Sequence, residues 1–271
     1  MKNNGNTQKE TTIFPINIAN NVLIYETKID SSFAIGNLIL DTLKNNPKTS
    51  IGLSIGNMFK DIFTFIATNK NNAKVSFANA KIFLMTEFVN SNDSELTLFN
   101  WFQKNFLTQI DTMAKNTFVI SSEKSNNSTN LDIIDFKKTL VKHAPIDIEL
   151  LHLGTNGSIA FNEPSNDSST INNLTGISIL SSSSINELSS YLETKSCPKK
   201  VLTMGTLEVI NAKKIIIPAY GAIMIAPLVK LLTANKYDPN WPITALIYAQ
   251  SDVKIYLDKT TYDLLLQALK K

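Results

Sequence analysis

Short β-branched and aliphatic runs alternate with stretches of helical periodicity from residue 21 to residue 270. No other feature limits the fold as much, because strand–helix–strand units close on themselves as a parallel sheet with crossover helices. Strands are predicted over 21–25, 50–55, 80–85, 117–120, 147–153, 176–180, 214–218 and 253–257. Helices are predicted over 31–44, 58–67, 96–106, 130–143, 200–211, 221–233 and 260–270. In the first of these helices Phe33, Ile35, Leu38, Leu40 and Leu43 fall at the spacing of an amphipathic stripe. The expected fold class is α/β, a doubly wound, mainly parallel sheet with helices on both faces. Ligands of such sheets sit beyond the carboxyl ends of the strands, at helix N-termini. The polar stretch 121–130 reads as an exposed loop, and the serine run 181–184 is too short to carry meaning.

Composition narrows the class. With 43% hydrophobic and 18% charged residues the chain has the balance of a folded core. Residues 1–12 are polar and Asn-rich and read as a flexible arm; residues 13–271 read as one α/β domain. No apolar run reaches the roughly 18 to 20 residues that span a bilayer, and the start has no apolar core of a secretory signal. The single Cys197 excludes an internal disulfide and fits a reducing, cytoplasmic setting. Two His and one Cys argue against a His/Cys zinc site. A net charge of +3 with scattered lysines gives no basic stripe for nucleic acid. All 26 Lys+Arg positions are lysine, so no planar guanidinium is available to grip a phosphate in bidentate fashion.

The chemistry concentrates in Leu151-His152-Leu153-Gly154-Thr155-Asn156-Gly157-Ser158-Ile159-Ala160-Phe161-Asn162-Glu163-Pro164. This segment resembles the active-site loop of the glucosamine-6-phosphate deaminase/isomerase family, whose pattern reads roughly G-x-D-G-H-I-A-F-N-E-P. Three further stretches resemble that family in order and spacing: Ile51-Gly52-Leu53-Ser54-Ile55-Gly56, its first phosphate loop; Ile82 to Phe88, its strand ending N-M-D-E-Y; and Leu202-Thr203-Met204-Gly205 with Ile210-Asn211-Ala212. Related lactonases of 6-phospho sugar acids share the fold, but the I-A-F-N-E-P run points to the deaminase branch.

The resemblance implies a reaction that opens an amino-sugar phosphate ring, moves a proton between C2 and C1 and expels ammonia, with no cofactor and no metal. That chemistry needs groups that titrate near working pH within hydrogen-bond reach. By the family pattern the carbon base falls at Thr86, the ring-opening His at Ser158 and the Asp that orients it at Asn156; only Glu163 keeps the family's catalytic identity. Each lost acid–base group is worth about 10²–10⁴ in rate, and such losses do not add. The phosphate-binding positions implied by the resemblance are Ser54, Gly56, Asn57 and Ser190, with Met224 where the family has a Lys. The implied site is therefore a degenerate one.

Plainer roles compete at each position. Gly154, Gly157, Phe161 and Pro164 suit a strand–turn–helix connection. Glu163 without its His suits a helix cap or a lysine pair, and Asn156 and Ser158 suit hydrogen bonds to a sugar hydroxyl. Glu87 could replace the base beside it, but strand alternation aims it the opposite way. His152 reads as a core or supporting histidine and His143 as a surface one; Phe99, Trp101, Phe102 and Phe106 read as core. Three functions stay open: a non-catalytic relative that binds a sugar, a sugar phosphate or a protein; an active sugar-phosphate isomerase or deaminase with altered acid–base residues; and a subunit of a homo-oligomer, or of a hetero-oligomer with an active paralogue.

Overall fold

The strand tips that carry the motif loops come together because the alternating pattern builds a single eight-stranded sheet. The computed structural model describes residues 15–89, 96–121 and 130–270. The expected arm over residues 1–12 and most of the expected exposed loop over 121–130 lie outside the described residues.

The elements follow in chain order. The first half holds α1 (Ile18–Asn21), β1 (Val22–Tyr25), α2 (Lys28–Asn45), β2 (Ser50–Leu53), α3 (Lys60–Asn69), β3 (Lys81–Leu84), β4 (Thr86–Phe88), α4 (Leu98–Asn105), β5 (Thr117–Ile120), β6 (Asn130–Leu131) and α5 (Ile133–His143). The second half holds β7 (Ile148–Leu150), β8 (Gly176–Ile179), α6 (Ser182–Leu192), β9 (Lys200–Thr203), α7 (Thr206–Ile210), β10 (Lys214–Pro218), α8 (Ile225–Leu232), β11 (Asp252–Asp258) and α9 (Lys259–Leu269). The large sheet runs β1-β11-β10-β7-β2-β3-β5-β6, and each of its pairings is parallel. A second, antiparallel sheet runs β4-β9-β8.

Strand periodicity splits the interior into two layers. Phe83, Ile215 and Ile217 face one core, with Phe136 and Leu140 of α5, Leu228 of α8 and Leu265 of α9. Ile82, Leu84 and Ile216 face the other, with Ile35 and Ile39 of α2, Phe63 of α3, Phe102 of α4 and Leu188 of α6. Alternate side chains of one strand point to opposite faces, so helices must cover both. Of the four aromatics expected in the core, Trp101, Phe102 and Phe106 are buried, Phe106 stacking on Phe63 at 4.3 Å just past α4, while Phe99 is half-buried against that cluster.

Some expectations need correction. The helix expected over 200–211 is a strand, β9, followed by the short helix α7, because Gly205 breaks the run and the Glu208 carboxylate caps the helix start through Gly205 N at 2.9 Å. The strand expected over 176–180 belongs to the antiparallel sheet. The helix expected over 130–143 starts at Ile133, after the short strand β6. The serine run opens a full helix, α6, with Ser181 as its N-cap. His143 is half-buried rather than at the surface, since the end of α5 lays its ring on Phe118 at 5.7 Å.

Candidate functional site

Strands β2, β3 and β7 are neighbours or next neighbours in the sheet, so the loops leaving their carboxyl ends meet. From β7 the chain passes Leu151 to Leu153, all buried, and enters the Gly154 turn. Gly157 has φ +83°, and a Cβ there would come 2.6 Å from Trp241 Cε3. Ala160 and Phe161 follow with φ of 46° and 57°. Non-glycine residues in that region cost about 1–2 kcal/mol each. The turn they make stacks Phe161 on His152 at 5.5 Å and lets Asn162 Nδ2 donate to Met204 O at 2.9 Å. Glu163 is thereby brought back towards Asn156.

Asn156 is the hub of the loop. Its Nδ2 donates to Glu163 Oε2 at 2.7 Å and to Ser181 Oγ at 3.0 Å, and its Oδ1 accepts from Ser158 N at 3.0 Å. Ser158 is fully buried against Gly154, and its hydroxyl has no hydrogen-bond partner among the described residues. Glu163 Oε1 is likewise enclosed and unpartnered. Thr86 is buried at the start of β4 and shares a hydrogen bond with Thr203 Oγ1 at 2.9 Å. Of the four positions the resemblance calls catalytic, Asn156, Ser158 and Glu163 therefore share one loop, and Thr86 reaches the same region through Thr203.

Glu87 turns away from this region, as strand alternation requires. Its carboxylate accepts from Leu98 N and Phe99 N, both at 2.9 Å, and so holds the N-terminus of α4. Burial raises its pKa against the opposing pull of those backbone donors.

The expected phosphate cradle has a different content. Ser54 is buried and donates to the sulfur of Met85 at 3.4 Å. Gly56 is extended, and the space where its Cβ would lie is closed by Met58, by His152 Cδ2 at 3.2 Å and by Phe59. Asn57 Oδ1 is buried without a partner among the described residues. Ser190 is exposed on α6 and has no described contact with the loops.

A cluster that sequence reading missed lies behind the Gly154 turn. Glu187 of α6 accepts from Thr155 N at 3.0 Å and from Thr155 Oγ1 at 2.7 Å. Its other oxygen lies 3.2 Å from His152 Nε2 and 3.4 Å from Tyr191 OH. Burial alone would raise the Glu187 pKa, but the bonds to His152 and Thr155 outweigh it and lower it to about 2. The carboxylate is thus fixed as an internal anion on the N–H of the Gly154 turn. The same carboxylate, together with burial, raises the Tyr191 pKa. The signal for this cluster was the Ile185, Leu188, Leu192 spacing, which marks a helix and places Glu187 and Tyr191 one turn apart.

A cavity of about 290 Å³ opens on the other side of Glu163. Glu163, Asn162, Ser178, Thr203, Thr206 and Tyr237 supply its polar wall.

Comparison with known proteins fits this geometry. No protein-family model matches the chain. The glucosamine-6-phosphate deaminase of Malacoplasma penetrans (strain HF-2) is 28% identical over 224 residues, which cover 82% of this chain and 91% of that protein. The chain is a relative of the glucosamine-6-phosphate deaminases. A second deaminase, from Staphylococcus epidermidis (strain RP62A), is 26% identical over 235 residues, 86% of this chain and 94% of that protein. Among solved structures, a monomeric glucosamine-6-phosphate deaminase superposes with a TM-score of 0.80 at 23% identity, covering 90% of this chain and 99% of that one. The 6-phosphogluconolactonase of Trypanosoma cruzi superposes with a TM-score of 0.69 at 16% identity, covering 92% and 98%. These two superpositions establish the shared α/β fold of deaminase relatives and lactonases. Among the described residues no helix is long and apolar enough to cross a membrane.

Proposed function

We propose that this deaminase relative keeps the scaffold and has lost the acid–base chemistry, binding a sugar-like ligand without turning it over. Residues 13–271 act as one deaminase-like unit in this reading, and the protein works in the cytoplasm. The observation that carries the proposal is the Asn156–Glu163 hydrogen bond of 2.7 Å. A neutral amide holds the one remaining carboxylate of the motif, and Ser158 and Thr86 offer hydroxyls where proton carriers are needed. A serine or threonine hydroxyl does not exchange protons usefully near pH 7. Glu87 is consumed by the start of α4. His152 is closed in by Phe161, Gly56 and Glu187, which speaks against an altered catalytic role.

The cytoplasmic assignment is supported by the single Cys197, which is unpaired, half-buried and has its thiol pKa pushed up by burial. A thiol of that kind is poorly reactive.

The test is a sensitive assay for ammonia and fructose-6-phosphate formed from glucosamine-6-phosphate by pure protein. The expected result is no formation above a protein-free control. Clear turnover would refute the proposal.

A further inference from the structure

One edge of the small antiparallel sheet is open: β8 pairs with β9 and with no other strand among the described residues. Leu180 N donates to Lys199 O at 2.9 Å, and the register sets Ser178 against Val201 and Gly176 against Thr203. Opposed residues of an antiparallel ladder alternate between exchanging both backbone bonds and exchanging none. Leu180, Ser178 and Gly176 therefore bond to β9. The amide and carbonyl groups of Ile177 and Ile179 point away from it, along the open edge.

The side chains at those two positions are equally unengaged. Ser178 faces the protein, its Oγ donating to Phe161 O at 2.7 Å. Ile177 and Ile179 face the other way, as strand alternation requires, and are 60% and 68% exposed. Leu174, just before the strand, is 51% exposed. Edge strands are commonly protected by a lysine, a proline or a bulge. Residues 174–184 hold no charged residue and no proline, and the β8–β9 register runs without a bulge. At the opposite edge of the sheet β4 is buried over Thr86, Glu87 and Phe88, so the sheet can be extended only at β8.

The occupant that fits this edge is the same edge of a second copy. With Ser178 on a two-fold axis, antiparallel pairing sets Ile177 against Ile179 of the second copy, and Ile179 against its Ile177. Each such pair exchanges both of its backbone bonds and brings exposed aliphatic side chains together on one face. No like charges meet, because the segment carries none. A charged foreign strand would find no ion pair there. A two-fold contact closes at two subunits, and the buried β4 leaves no second edge for growth.

We propose that two copies of the chain pair antiparallel through β8, Ile177 against Ile179, joining their small sheets into one continuous sheet. The contact is short, a strand of 4 residues, and small interfaces associate weakly. A dissociation constant of about 50 µM is expected.

Sedimentation velocity of the full chain from about 10 µM to about 500 µM should show a monomer passing into a dimer and nothing larger. Amide hydrogen exchange followed by NMR over the same range locates the contact. For a constant of about 50 µM the free fraction falls roughly fourfold across that range. Exchange at Ile177 and Ile179 should slow by about the same factor, while amides of the large sheet should not change. Ile179→Lys puts a charge at the centre of the contact and should keep the chain monomeric, with its melting temperature unchanged at low concentration. Ile177→Pro removes an N–H that takes no part in the β9 ladder and should also abolish the dimer, which apolar contact alone would not require. The wild-type exchange map decides the matter even if a variant folds poorly. A chain that stays monomeric at about 500 µM overturns the inference and leaves the edge to a foreign strand. A dimer in which Ile177 and Ile179 exchange as fast as in the monomer, or one that survives Ile179→Lys, overturns it as well. So does growth beyond two copies.

Discussion

The side-chain nitrogen of Asn156 lies 2.7 Å from Glu163 Oε2, and its oxygen accepts from Ser158 N at 3.0 Å. An amide makes both bonds at neutral pH, whereas an ionised carboxylate in its place could accept but not donate. Asn156→Asp restores the family's residue and should nonetheless harm the fold. Two carboxylates at this distance share a proton, and the pair's upper pKa rises. A raised folded pKa gives stability that is lost as pH rises. The variant's deficit should therefore be small near pH 4 and reach about 1–3 kcal/mol at pH 7. Chemical denaturation at the two pH values measures it.

Glu187 behaves in the opposite sense. Its folded pKa is lowered from 4.5 to about 2. The stability it contributes is complete above about pH 4.5 and is lost as pH falls towards 2. Glu187→Gln should cost roughly 2–3 kcal/mol at pH 7, and the gap to wild type should narrow below pH 4.5. Melting temperatures at pH 7 and 3.5 check the direction. A constant gap would show that Glu187 is not held as an anion.

Glu149 sits in β7 between β2 and β10, fully buried, with neither oxygen partnered among the described residues. Burial, and secondarily the nearby Glu208, raises its pKa well above 4.5. The folded form keeps its proton where the unfolded chain has released it, so stability falls as pH rises above that value. Glu149→Met removes the unpartnered group at similar volume. It should stabilise the protein by about 1–3 kcal/mol at pH 8, and by less at pH 5. A variant that melts lower than wild type at pH 8 would contradict this.

Gly157 has φ +83° and faces the Trp241 ring. Gly157→Ala adds a methyl 2.6 Å from Trp241 Cε3 in a backbone region that L residues disfavour. It should destabilise by roughly 2–4 kcal/mol. Urea denaturation gives the magnitude.

How far the sequence reaches is visible in particular residues. The strand–helix alternation and the loop from Gly154 to Pro164 were legible because apolar period and backbone constraint are local. Asn156 and Ser158 could be placed in one loop with Glu163 because the apolar frame around them fixes the register. Glu187 was not: it meets Thr155 across 32 residues, from a helix whose first turn is all serine. Ser190, one of the positions drawn from the resemblance, proves to lie on the exposed face of that same helix. Strand β9 was read as helix because its pairing with β4 and β8 is antiparallel and non-local, which four residues cannot announce. The cavity beside Glu163 was also hidden, since its wall joins α7, β8 and the segment around Tyr237 only through the fold.

The most direct measurement is hydrogen exchange at C2 of glucosamine-6-phosphate. The substrate is incubated with pure protein in D2O and its C2–H signal is followed by NMR. Proton abstraction at that carbon is the step for which the proposed reading finds no base, so exchange would report even a partial reaction. The account predicts that the C2–H signal persists as in a protein-free control. Its loss in the presence of protein, and its retention with Glu163→Gln, would contradict the account.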